Sequence, residues 1–296
     1  MNEMAIGIEI LEADALKIKA DVLVLKYAQD FFFGADSMAF SKLALLYKNL
    51  ERKLPNRHEF LFLESLGSAG ADYILFAGVE ELSKFRYKEI RSFSFSSLKY
   101  LAETKAGTEH ICFTMHGANY GLDEAEAFES QIAGMIEAIA KGLYPPKLKR
   151  ISIAEIYEPR AKRLRATLKE LFPEGVISAE NRGGISERSI KAVQLSQAGI
   201  NSDDKPLIFV AMPFDKKMDD TFHYGIRNAV NHAGFLCERI DEVVFTGDIL
   251  DLIKRRIGKA SLVIADLTTA NPNVYLEVGY AWGLGIPTVL IVQDAQ

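Results

Sequence analysis

The run from Leu207 to Gln293 decides the fold: LIFVAM (207–212), DDTFHYGIRNAVNHAG (219–234), FLCERID (235–241), TGDILDLIKRRIGKA (246–260), SLVIADL (261–267), NPNVYLEVGYAWGLG (271–285) and PTVLIVQ (287–293). The short apolar segments are of strand length, and the longer segments between them repeat apolar residues at helical spacing. Acids open the first helical segment at Asp219 and Asp220, and Gly234 follows its last turn. Basic residues close the second, and Asn271-Pro272-Asn273 opens the third, which ends at Gly285. Four strands joined by three helices imply a parallel, right-handed, doubly wound sheet. Ligands of such sheets bind beyond the carboxyl ends of the strands, which singles out the turns AMPFDK (211–216), RIDEVVFTG (239–247) and DLTTANPN (266–273).

Upstream, IGIEIL (6–11), DVLVLKY (21–27), EFLFLES (59–65), YILFAGV (73–79), HICFTMH (110–116) and RISIAEIY (150–157) alternate with helical periodicity over 37–51, 88–104, 124–141 and 160–171. That rhythm predicts a second α/β sheet covered by helices. It is lost in AENRGGISERSIKAVQLSQAGINSDDKP (179–206), whose Gly, Ser, Asn and Asp read as a linker with a short helix at 187–195. The expected division is a first domain over 1–180, a linker over 181–204 and a second domain over 205–296.

Composition narrows the function classes. Apolar residues make up 49% and charged residues 25%, as in ordinary globular proteins, and the net charge of -5 argues against a general nucleic-acid binder. Small nucleotides stay open as ligands. The two cysteines, Cys112 and Cys237, interrupt strand-like runs and read as buried thiols in a reducing compartment. Metal-ligand spacing of the CxxC or HExxH kind is absent, so no metal is expected. The acidic, alternating amino terminus does not read as a signal peptide, and no apolar run reaches the roughly 20 residues of a membrane span. The sequence therefore predicts a cytoplasmic protein without membrane contact.

The stretches FVAMPFD (209–215), ERIDE (238–242), TGDI (246–249) and ADLTTANPNVYLEVGYAWGLGIPT (265–288) together resemble the nucleoside 2-deoxyribosyltransferase-like group, related in fold to bacterial Toll/interleukin-receptor (TIR) domains. The resemblance implies a flavodoxin-like domain whose helix-borne catalytic glutamate is Glu277. Read from the residues alone, Glu277 falls near the second turn of its helix beside apolar Val274, Val278 and Ala281, and Gly279 allows a backbone or ligand to come close. A carboxylate so placed can stabilise or capture the oxocarbenium centre formed when an N-glycosidic bond breaks. A glutamate solvating an exposed face is the alternative. Asp266 reads equally as a sugar-hydroxyl acceptor or acid, or as a turn residue. Arg239 and Asp241 address a ribose or phosphate, or form a surface ion pair. Met212, Pro213 and Phe214 flank a base or nicotinamide ring, or Phe214 plugs the core. Thr246, Gly247, Asn271 and Asn273 complete the candidate substrate site, and Trp282 is assigned to core or interface.

The deoxyribosyltransferases carry an aspartate six residues before the glutamate, where this chain has Asn271. Nicotinamide leaves NAD already cationic and needs no acid, so this departure favours NAD or a related nucleotide over base exchange. No cofactor is then required, since NAD is the substrate. Proteins of this kind joined to a sensor domain often deplete nucleotides in defence against phage, and the resemblance implies that setting.

The first domain, through ADALKIKADVLVLKY (13–27), ESLGSAGADYILFAGV (64–79) and TMHGANYGLDEAEA (114–127), resembles the macro-domain superfamily, nearest its leucine aminopeptidase N-terminal branch. That resemblance implies a nucleotide or ADP-ribose pocket near Gly117, Ala118, Asn119, Tyr120 and Gly121. A glycine-bracketed loop opening a helix can offer N–H groups to phosphate, although it is also an ordinary turn. His116 reads as structural, and Phe31, Phe32 and Phe33 as core. Two further readings stay open, a non-catalytic nucleotide-binding regulator or scaffold and a deoxyribosyltransferase. The last strand would leave a hydrophobic parallel edge, so a homo-oligomer is expected.

Overall fold

The computed structural model describes residues 5–29, 34–81, 84–117, 121–177, 190–240 and 249–293. The chain forms two compact units, Met1–His116 with Ala127–Ile200 and Gly117–Glu126 with Asn201–Gln296.

The first unit is built on strands β1 (Ile6–Glu12), β2 (Val22–Ala28), β3 (Phe60–Glu64), β4 (Tyr73–Val79), β5 (His110–Thr114), β6 (Arg150–Glu155) and β7 (Val176–Ile177). They form one sheet in the order β3-β4-β2-β5-β6-β1-β7. The five inner strands pair in parallel, and the two edges, β3 and β7, are antiparallel. Central β2 is buried along its whole length, which is why VLVLKYA is nearly continuous in apolar residues. Two-residue β7 has no period for a sequence reading to detect.

Helices α1 (Ala35–Ala44), α2 (Tyr87–Thr104), α3 (Glu124–Ala140), α4 (Glu158–Leu171) and α5 (Ile190–Gln197) accompany this sheet. The helix expected over 37–51 stops at Ala44. Asn49 adopts a left-handed backbone (φ 56°) and starts a separate 3-10 turn at Leu50–Lys53, so the apolar period there spans two elements. Helices α2 and α3 touch through backbone: a Cβ on Gly134 would lie 2.2 Å from the Arg91 carbonyl oxygen. Arg91 itself pairs with Glu137 and donates to the Ser196 and Ala198 carbonyls at 2.9 and 2.7 Å, securing the end of α5.

The second unit carries β8 (Leu207–Ala211), β9 (Leu236–Glu238), β10 (Leu262–Asp266) and β11 (Thr288–Ile291), all parallel, in the order β11-β10-β8-β9. Alternation along β8 divides its core. Phe209 and Ala211 face α7 (Ile249–Lys259) and α8 (Pro272–Gly283), while Ile208 and Val210 face the connection from β8 to β9. The periodicity of 219–234 predicts an α-helix, but Thr221–Arg227 winds as a π-helix before α6 (Asn228–His232). Apolar spacing alone does not distinguish the two windings. On β11, Val289 and Leu290 are 45% and 44% exposed. Among the described residues, no helix is long and apolar enough to cross a membrane.

Segment 121–126 is held in the second unit by buried polar contacts. Asp123 accepts from the Glu126 and Cys237 backbone N–H groups at 3.0 and 2.9 Å and from Asn231 Nδ2 at 2.7 Å. Beside it Glu124 pairs with Arg227 at 2.7 Å, and Glu126 accepts from Ser202 and Lys205. Burial raises the Asp123 carboxyl above its ordinary range, and those donors oppose the rise. Asp123→Ala strands buried donors and lowers stability by about 2–3 kcal/mol. The sole tryptophan, Trp282, lies in this unit, so its fluorescence during urea unfolding measures the loss.

Candidate functional site

The connection leaving β8 covers one face of the second sheet, whereas α7 and α8 cover the other. Crossovers that diverge in this way leave a crevice between the carboxyl ends of β8 and β10. The register Ala265↔Ala211 sets Asp266 beside Met212 at this point. Met212 and Pro213 are buried, and Phe214 is 44% exposed. Phe214 is therefore not a core plug; Phe222, 7% exposed, fills that role.

Arg239, one residue beyond β9, reaches the same place. Its guanidinium carbon lies 4.0 Å from the centre of the Phe222 ring and 5.3 Å from that of Phe214. One guanidinium N–H points to Met212 Sδ at 3.7 Å, and Asp219 stands 3.9 Å away. With 9% of its side chain exposed, Arg239 is not in a surface ion pair. Aromatic contacts hold its planar cation in place. Gly121, at φ +78°, also abuts this corner, since a Cβ there would lie 3.0 Å from Ile240 Cγ1 and 3.4 Å from the Arg239 carbonyl oxygen. Part of the glycine loop that the sequence assigns to a separate pocket thus adjoins the Arg239 backbone within the second unit.

On the neighbouring strand, Asp266 is fully buried at the end of β10. Its Oδ1 accepts from the Thr268 backbone N–H at 2.9 Å and from the Thr268 hydroxyl, while Oδ2 has no hydrogen-bond partner among the described residues. The turn role read from the sequence thus falls on Oδ1. Helix α8 packs on β8, β10 and β11, burying Val274, Val278 and Ala281 and leaving Glu277 half-buried in its second turn. Asn271 caps the helix, its side chain accepting from Asn273 N–H at 2.9 Å. On α8, Trp282 is 59% exposed, which removes the core half of its assignment and leaves the interface half, and among the described residues a Cβ on Gly279 would meet nothing within 4 Å, so the close backbone approach that Gly279 would permit is not made there.

Asp241, Thr246, Gly247, Ala118, Asn119, Tyr120 and Phe31 to Phe33 lie outside the described residues. Of the remaining candidates, Met212, Phe214 and Arg239 are in contact and Asp266 stands beside Met212.

The first unit holds a feature the sequence reading missed. Lys26, near the end of β2, donates to Asp36 Oδ2 at 2.9 Å from the first turn of α1, and both side chains are at least nine-tenths buried. Among the described residues Asp36 Oδ1 has no hydrogen-bond partner. A lone charge inside VLVLKYA was the available signal, because a lysine there must be paired. His116 is buried edge-on against Phe85 and Phe93, as its structural assignment requires. Burial, with the Lys26 charge adding to it, holds its imidazole well below the ordinary value. Burial and Arg150 lower His110 likewise. Both histidines stay neutral in the folded chain while the unfolded chain takes up protons near pH 6.5, so stability falls as pH drops below about 6.5 toward the lowered folded values. Urea midpoints measured between pH 7 and 5 decrease, and His116→Leu makes the decrease shallower.

No protein-family model matches the chain, and no curated protein matches it. Among solved structures, it is similar to a macrodomain of Oceanobacillus iheyensis, with 15% identity over 55% of this chain and 91% of that one at a TM-score of 0.40. A Trypanosoma brucei macrodomain in complex with ADP-ribose matches with 16% identity over 54% of this chain and 68% of that one at a TM-score of 0.43. The macro domain of ganglioside induced differentiation associated protein 2 matches with 12% identity over 53% and 82% at a TM-score of 0.42.

Proposed function

We propose that the protein cleaves the N-glycosidic bond of NAD or a related nucleotide, with Glu277 as the carboxylate that stabilises or captures the sugar cation. The observation carrying this reading is the convergence of Arg239, Phe214 and Met212 with Asp266 at the switch point of a parallel sheet whose next helix bears Glu277. An exposed aromatic ring beside a held guanidinium is suited to a flat heterocycle and an adjoining phosphate. The C–N bond breaks with its electron pair going to nicotinamide, which leaves neutral. The carboxylate compensates the charge at the sugar carbon until water adds there and releases a proton, giving ADP-ribose. Purified protein incubated with NAD tests this by nicotinamide release. Release proportional to protein supports the reading, and intact NAD at high protein concentration overturns it.

A second reading, nucleotide binding by the first unit, draws on Lys26 and Asp36. The carboxylate oxygen left unpartnered among the described residues, at the end of α1 that follows β2, suits a donor on a small ligand such as the ADP-ribose held by the Trypanosoma brucei macrodomain. Calorimetric titration with ADP-ribose tests it, and heat lost in Asp36→Ala assigns the binding to this unit.

A further inference from the structure

The two oxygens of Asp266 differ in a way that a turn does not require. Oδ1 is saturated by both donors of Thr268. The Thr268 hydroxyl in turn accepts from the Gln293 backbone N–H at 3.0 Å, which leaves its own proton for Asp266. Gln293 is itself anchored, its side-chain amide donating to Thr221 Oγ1 at 3.0 Å and lying 3.6 Å from Met218 Sδ. This chain of contacts prevents the carboxyl group from turning. It leaves Oδ2 buried without a donor among the described residues, although an unpartnered buried acceptor is costly and few are retained in folded proteins. A carboxylate oxygen placed to accept disfavours a phosphate oxygen and selects an O–H or N–H group.

We propose that Asp266 Oδ2 is a built acceptor for one hydroxyl of the substrate ribose, and that Thr268 and Gln293 are positioning residues that aim it. The proposal rests on the nucleotide reading above and adds the part of the ligand that is read. It makes the site selective for ribonucleotides, because a deoxy sugar leaves Oδ2 buried and unpaired.

The test is calorimetric binding to Glu277→Gln protein of NAD, of its two analogues lacking the 2′ or the 3′ hydroxyl of the nicotinamide ribose, and of the analogue with a carboxylate in place of the carboxamide. One deoxy analogue is expected to bind about ten- to a hundredfold more weakly than NAD. In an Asp266→Ala background that ratio falls to near one. Thr268→Val reduces it several-fold, and Thr268→Ser restores it, which a merely structural role for Thr268 does not explain. If Asp266→Ala does not fold, Asp266→Asn and Thr268→Val carry the comparison.

The proposal is overturned if both deoxy analogues bind as NAD does, if the ratio survives in Asp266→Ala, if discrimination appears only with the carboxylate analogue, or if no nucleotide binds. Discrimination without nicotinamide release by the wild type removes the glycosidase reading and leaves this one standing. Release with no dependence of the ratio on Asp266 does the reverse.

Discussion

Glu277→Gln reduces nicotinamide release from NAD by roughly a hundred- to a thousandfold, the range seen when one preorganised electrostatic group is removed from a reacting centre. The substitution keeps the size of the side chain and removes its charge. Helix α8 is held by buried Val274, Val278 and Ala281 and capped by Asn271, and the substitution changes none of these side chains. The loss is therefore expected in kcat with KM little changed, because the carboxylate acts on charge that develops only as the bond breaks. Initial rates of nicotinamide formation across a range of NAD concentrations separate the two constants. Equal turnover by the two proteins removes Glu277 from the chemistry.

Lys26→Met lowers the stability of the folded chain by about 3–5 kcal/mol, the usual consequence of breaking a buried ion pair by removing one partner. Methionine fills the space of the lysine stem but leaves Asp36 buried without its cation. Burial already raises the Asp36 carboxyl above its ordinary range, with Lys26 opposing the rise, so removing Lys26 pushes it higher. The folded variant then holds a proton that the unfolded chain has released. Its deficit is full above the raised folded value and shrinks as pH falls toward the unfolded carboxylate range. Urea unfolding at several pH values checks both the size and the sign. A deficit independent of pH would assign the loss to packing instead of charge.

The chain's own pattern determined where strands and helices form. Apolar segments of strand length alternate with helical periodicity in both halves, and the Asn-Pro-Asn start of α8 is visible because its cap is local to three residues. The same locality brought Met212, Phe214, Arg239 and Asp266 forward, since each lies at or just beyond a strand end, whereas Glu277 was singled out by the family resemblance. Only the tertiary structure decided how these residues are used. Phe214 lies exposed beside Arg239 while Phe222, two turns of chain away, is buried beneath it, and nothing in the local pattern ranks one phenylalanine over the other. The pairing of Lys26 with Asp36, the capture of Asp123 and Glu124 by Asn231 and Arg227, and the Gln293–Thr268–Asp266 chain join residues that are distant in sequence or depend on strand register. Such contacts follow from which strands lie side by side and which face each helix covers. Periodicity encodes the face of an element but not its neighbour.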